Sequence, residues 1–180
     1  EEGSAVTPFK PYELVAKKAK LVPKKNLIQM DISKWQTRAN TTNVKIEGTK
    51  LSWQASATYG GVNFFLDPVL YAGKTITFSR GEQNDGASAI AFYKTADGTQ
   101  RYMALDVTNT LKVDVPMNVV ELRYYVQNAN EAIAGKTYYV TDLQAEIGSV
   151  ATPYERYKEV VKKAVSSVKK APYKNYPFEF

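Results

Sequence analysis

Between residues 26 and 153, apolar side chains return at every second position in run after run. Val44 and Ile46 alternate with Lys45 and Glu47, and Leu51, Trp53 and Ala55 with Ser52 and Gln54. Ile76 and Phe78 alternate with Thr75, Thr77 and Ser79, and Leu122, Tyr124 and Val126 with Glu121, Arg123, Tyr125 and Gln127. A period of two is the pleat of an antiparallel strand with one face in a core and the other in water. Turn residues separate the runs at Tyr59-Gly60-Gly61, Asp67-Pro68, Asn84-Asp85-Gly86, Asp97-Gly98 and Val115-Pro116. Adding segments 26–30, 62–66, 89–93, 102–105, 110–115 and 136–146 brings the total to about ten short strands with no long helix between them. The pattern predicts an all-β fold, an antiparallel β-sandwich. Thirteen Tyr, seven Phe and two Trp agree with it.

The ends of the chain carry a repeat. Glu1, Gly3, Ser4, Thr7, Pro8 and Tyr12 recur as Glu146, Gly148, Ser149, Thr152, Pro153 and Tyr157. Val15, Lys17, Lys18 and Ala19 then recur as Val160, Lys162, Lys163 and Ala164. A segment that closes one unit and also precedes the next predicts tandem modules within a longer parent. Residues 1–25 are expected to be the end of a preceding repeat plus a helical linker, 26–157 one module, and 158–180 a Lys-rich helical linker leading to the next segment. Tyr157, Val160, Val161, Ala164, Val165 and Val168 form one apolar stripe of a helix, and Tyr12, Val15, Ala16 and Ala19 form a shorter one that Pro23 stops. Two readings stand for these flanks: a solvated connector, or a self-association helix in an oligomeric, for instance trimeric, fibre. About three turns alone are marginal in water.

The net charge of +6 lies outside the module. Residues 1–25 hold six Lys against three Glu, and 154–180 hold seven Lys and Arg against three Glu; residues 26–153 hold eleven basic against twelve acidic residues. A nucleic-acid site needs its basic groove on the folded surface, so no nucleic-acid partner is expected. No apolar run reaches membrane-spanning length. With neither His nor Cys in the chain, Ser-His-Asp and Cys-His nucleophiles and imidazole or thiolate zinc sites are impossible. The Ala-Gly-Lys-Thr strings at 72–75 and 134–137 lack the earlier glycine of a phosphate-binding loop and open strands, not helices. The chain is expected not to be an enzyme.

Sugars are bound by flat aromatic faces, with amides and charged groups meeting the hydroxyls. Arg123, Tyr125 and Gln127 fall on the face of their strand opposite the core set, and Trp35, Tyr59, Arg101 and Tyr102 lie in or beside expected loops. These seven residues are the candidate ligand-binding set, weighed against an ordinary solvated sheet face and, for Trp35, a plug at the end of the sandwich. Trp53 shares a face with Leu51 and is expected in the core. No cofactor is required; a structural calcium site could draw on Asp31, Glu47 and Asp142, against the alternative of ordinary surface acids.

The closing segment Thr137-Tyr138-Tyr139-Val140-Thr141-Asp142-Leu143-Gln144-Ala145-Glu146-Ile147-Gly148-Ser149, followed by Ala151-Thr152-Pro153-Tyr154, resembles the last strand and exit of carbohydrate-binding-module-like jelly rolls. Such domains occur in tail-fibre and baseplate proteins of phages and prophages of Gram-positive bacteria. Asn26-Leu27-Ile28, the strand 72–79, and Val113-Asp114-Val115-Pro116 before Leu122-Arg123-Tyr124-Tyr125 fit the same pattern in order, over roughly residues 26–157. The resemblance implies a jelly roll, a place in a virion tail beside other tail modules, and contact with cell-surface polysaccharide or teichoic acid. It also puts Asp142 where related sandwiches carry a metal-linked Asp, without the usual Glu after the first strand. The competing expectations are a ligand-free spacer or oligomerisation module, and an accessory sugar-binding module of a secreted bacterial enzyme.

Overall fold

The computed structural model of the protein describes residues 26–105, 107–129 and 132–157. The expected helical flanks, 1–25 and 158–180, lie outside the described residues.

Among the described residues eleven antiparallel strands follow one another: β1 (Trp35–Thr37), β2 (Thr41–Glu47), β3 (Lys50–Ala55), β4 (Gly61–Leu66), β5 (Thr75–Ser79), β6 (Ala87–Thr95), β7 (Gln100–Ala104), β8 (Thr110–Asp114), β9 (Val119–Asn128), β10 (Thr137–Thr141) and β11 (Gln144–Ile147). One layer is a five-stranded sheet in the order β1-β4-β9-β6-β7. Two three-stranded sheets, β10-β3-β2 and β11-β5-β8, form the other. The chain passes back and forth between the layers, giving the jelly-roll form of the antiparallel β-sandwich. The Ala-Gly-Lys-Thr strings lead from turns into β5 and β10, as expected.

A single buried cluster joins the two layers. Val62, Phe64, Leu66, Ala89, Ala91, Leu122, Tyr124 and Val126 come from the five-stranded sheet, and Leu51, Trp53, Ile76, Phe78, Tyr138 and Val140 from the other layer. Trp53 stacks on Tyr138 at 5.9 Å, and Phe78 meets Tyr124 edge-on at 5.1 Å. The Tyr124 hydroxyl crosses the core to donate to Ser79 O at 3.0 Å. Each such side chain contributes about 1.5–3 kcal/mol when removed from water, so these inward faces hold the layers together.

Three segments differ from expectation. Residues 26–30 run beside β11, with Leu27 N donating to Ala145 O at 2.8 Å, but form no ladder of their own. Trp35 lies in a strand, not a loop, because β1 pairs with β4 through Trp35 opposite Phe64. The run 136–146 is two strands, broken where Asp142 adopts φ 52°. That break transfers the chain from the β10 sheet to the β11 sheet.

The segment after β11 is clipped back onto the sandwich. Buried Asn26 donates to Leu143 O (3.2 Å) and Glu155 O (2.9 Å), bringing the two ends of the described residues together. The Glu146 carboxylate, only 5% exposed, accepts from Thr152 N (2.7 Å), Thr152 Oγ1 (2.7 Å) and Gln144 Nε2 (2.9 Å).

Candidate functional site

One face of the five-stranded sheet meets the core, and the opposite face carries a second, separate cluster made of Ile90, Phe92 and Tyr125. Strand register arranges that outer face in rows. Phe65 of β4 stands opposite Arg123 of β9, which stands opposite Phe92 of β6, which stands opposite Tyr102 of β7. Three strand spacings of roughly 4.8 Å make this row about 14 Å long. The next row is Gln36, Asn63, Tyr125 and Ile90, and the third holds Gly61, Gln127 and Ser88.

The middle of the face is closely packed. The Arg123 guanidinium lies 4.2 Å from the Phe92 ring centroid and 5.3 Å from that of Tyr125. Its Nε pairs with Glu121 Oε1 at 3.2 Å. Arg38 reaches in from the turn after β1, lying 5.5 Å from the Tyr125 centroid and donating through Nη1 to Gln127 Oε1 at 2.8 Å. Both guanidinium groups thus sit against one phenol, as cations do on aromatic faces. Burial pushes the Tyr125 hydroxyl above its usual pKa range; Arg38 and Arg123 oppose that shift, and Tyr102 adds to it. Asn63 is 6% exposed, and its Oδ1 accepts no hydrogen bond.

Accessible aromatic surface lies at the sides. Tyr102 is 59% exposed and tilts against Phe92 at 4.7 Å, with its hydroxyl donating to Gln100 Oε1 at 2.7 Å. Phe65 is 47% exposed at the other end of the row. A floor of aromatic and amide groups, two guanidinium groups and aromatic ends can hold a polyhydroxylated chain by stacking and hydrogen bonding. Among the strand positions of this face the only carboxylate is Glu121, already paired with Arg123.

The seven sequence candidates do not all converge here. Arg123, Tyr125, Gln127 and Tyr102 share the face. Tyr125 and Gln127 are floor groups, 4% and 8% exposed, rather than the open platform expected. Arg101 points the other way, because the pleat alternates sides and it pairs with Tyr93, which packs on the core. Trp35 is a core residue, 7% exposed, tilted against Phe64 at 5.2 Å with Nε1 donating to Gln29 O. Tyr59 is exposed at the Gln127 end of the face, its N–H donating to Asn128 O at 3.2 Å. Arg38, Asn63, Phe65 and Phe92 complete the face and were absent from the sequence candidates.

The acids considered for calcium do not meet. Asp31 caps a 3₁₀ turn through Ser33 N, and Glu47 ends β2. Asp142 accepts from Thr141 Oγ1 and borders an open cleft of about 710 Å³ at the end of the sandwich, lined also by Arg80, Glu82, Asn109 and Tyr139. Among the described residues no group of three or more acidic side chains is placed to hold a metal.

No family model matches the chain, and no curated protein matches it. Among solved structures it is similar to a xylan-binding domain from CBM 22, with 16% identity, a TM-score of 0.49, and coverage of 71% of this chain and 98% of that one. It is also similar to the C-terminal family 22 carbohydrate binding module of a Clostridium thermocellum protein, with 17% identity, a TM-score of 0.47, and coverage of 72% and 94%. A family 11 carbohydrate-binding module of a cellulosomal cellulase of Clostridium thermocellum matches at 12% identity and a TM-score of 0.41, covering 72% and 96%. Similarity at this level transfers no function.

Proposed function

We propose that this module is a non-catalytic glycan-binding domain whose site is the outer face of the five-stranded sheet. The observation that carries the reading is the row Phe65–Arg123–Phe92–Tyr102, with accessible rings at both ends and a guanidinium between them. A row of about 14 Å suits several linked sugar rings rather than one. Hydrolysis of a glycoside uses two carboxyl groups flanking the scissile bond, whereas this face offers one, held by Arg123. Two stacks with a few hydrogen bonds give roughly millimolar affinity. Repeated modules raise it by avidity.

The physiological context we propose is a tail-fibre or baseplate protein of a phage or prophage, acting outside the cell against polysaccharide or teichoic acid of a Gram-positive host. The resemblance of segment 137–154 and the terminal repeat support it. Titration of the chain with purified host cell-wall polysaccharide, followed by backbone amide NMR, tests both parts. Saturable shifts confined to β4, β6, β7 and β9, lost in Tyr102→Ala and Phe65→Ala, are expected. Silence toward every wall fraction would leave a spacer module instead, and a hydrolase domain beside this one in the parent would make it an enzyme accessory. Tryptophan emission is a poor reporter here, since Trp35 and Trp53 lie on the core side of the sandwich.

A further inference from the structure

We infer that the glycan bound on this face carries an acidic group, a carboxylate or a phosphate, and that Arg38 is the residue that reads it. The inference rests on the glycan-binding reading and adds a chemical class to it. The strand positions and bordering turn of the face bring together Arg38, Arg123 and Lys94, against Glu121 as the one acid. Arg123 is already ion-paired, its Nε 3.2 Å from Glu121 Oε1 although not in hydrogen-bonding geometry, and its plane rests on Phe92. Lys94 stands opposite Glu121 in the register.

Arg38 differs from both. It is partly buried, it lies over Tyr125, and its side chain spends one hydrogen bond on a neutral acceptor, Gln127 Oε1. No carboxylate among the described residues pairs with it. A guanidinium carries five N–H donors in a planar fork that matches a carboxylate or phosphate in a bidentate manner. The Tyr125 ring and the Gln127 amide fix that fork in place, so an arriving acid meets donors already oriented.

A second observation sits one row away. Asn63 Oδ1 is buried, without a hydrogen bond, beside Tyr125 in the register. An orphaned buried acceptor costs free energy until a donor reaches it. A sugar hydroxyl next to the acidic group supplies that donor. Acceptor on the ligand at Arg38 and donor on the ligand at Asn63 together describe an acidic sugar, such as a uronic acid, or a hydroxylated phosphodiester repeat.

The test uses the whole chain with three probes: oligogalacturonate, the same oligomer with its carboxyl groups reduced to alcohols, and poly(glycerol phosphate). Calorimetry is expected to show the acidic oligomer binding roughly tenfold more tightly than its reduced form, the scale of one charge-assisted contact, with the advantage shrinking as salt rises. Comparison with poly(glycerol phosphate) tells carboxylate from phosphate recognition. Arg38→Gln is expected to abolish the roughly tenfold preference for the acidic probe, weakening that probe far more than the reduced one; Tyr102→Ala weakens all and keeps the preference. If Arg38→Gln does not fold, Arg38→Lys keeps the charge without the fork and is expected to lose several-fold more on the acidic probe than on the reduced one. Equal binding of acidic and reduced oligomers, or an Arg38 variant that weakens both alike, overturns the inference and leaves the glycan-binding reading intact. Absence of binding by any probe, and by neutral wall polysaccharide, removes both.

Discussion

A methyl group on Gly61 would lie 1.9 Å from the carbonyl oxygen of Val126, so β4 approaches β9 at a distance only glycine permits. Gly61 is further held by Thr41, whose Oγ1 accepts from Gly61 N at 2.5 Å and donates to Gly61 O at 3.0 Å. Gly61→Ala is expected to cost about 3 kcal/mol, read as a lower urea midpoint, and to displace Gln127 in the neighbouring row. Tyr59 is a different kind of residue, an exposed tyrosine at φ 61°. A non-glycine residue there carries about 1–2 kcal/mol of strain. Tyr59→Gly is therefore expected to hold or raise thermal stability; a drop of more than about 1 kcal/mol would mean its ring makes contacts that outweigh the strain. Three tyrosines, Tyr124, Tyr125 and Tyr154, set the alkaline limit, the last raised by burial and by Asp142 against Arg156. Burial raises the Tyr124 phenol far above its usual range, with Arg80 opposing, and raises Tyr125 less. The folded state thus keeps protons that the unfolded chain gives up near pH 10. Stability is full below that point and declines as pH climbs toward the folded values. Tyr124→Phe should flatten the decline in a pH series of urea melts, while losing about 1 kcal/mol at neutral pH with the bond to Ser79.

At the scale of elements, the exit after β11 is a hydrogen-bonded clasp rather than a loose tail. Glu146→Ala leaves Thr152 N–H and Thr152 Oγ1 without their acceptor and Gln144 Nε2 with Thr152 O alone, at about 2 kcal/mol after water enters. Amide exchange should report early loss of protection at Thr152 while β9 stays protected; unchanged protection there would show that Asn26 and Gln144 hold the exit without Glu146. Glu146 and Thr152 both recur in the first copy of the repeat, as Glu1 and Thr7. The β6–β7 hairpin is fastened similarly by Asp97, which accepts from Thr95 Oγ1 at 2.5 Å and Thr99 N at 3.0 Å. Those bonds, led by Thr95, hold the Asp97 carboxyl below its usual range. Its contribution is present above about pH 4 and fades as acidification protonates it.

For the whole molecule, stability resides in the interface between layers, and Trp53→Ala at its centre is expected to cost about 3–5 kcal/mol. Much of that architecture was legible beforehand. Parity in the run from Glu121 to Gln127 assigned Tyr124 to the core and Arg123, Tyr125 and Gln127 to the other side, as observed. The remainder was hidden for identifiable reasons. The segment Ala87-Ser88-Ala89-Ile90-Ala91-Phe92 is apolar or small on both faces, so its parity did not mark Phe92 as part of a site. Trp35 lies in a three-residue strand, too short to show a period. Arg101 and Tyr102 are neighbours in the chain, yet the pleat puts them on opposite sides of β7. Arg38 belongs to a turn, where periodicity says nothing.

Alternation and turn chemistry are local properties, so the chain alone determined that it would form short antiparallel strands with defined inner and outer faces. It also determined, by lacking His and Cys, which reactive centres were out of reach. Which outer faces become neighbours is not local. Arg38, Asn63, Phe65, Phe92 and Tyr102 gather around Arg123 and Tyr125 because β9 takes its place between β4 and β6, far apart in the chain, in a register that burial of the opposite face selects. Only the folded sheet made that choice, since shifting any of these strands by one residue would turn the site into the core.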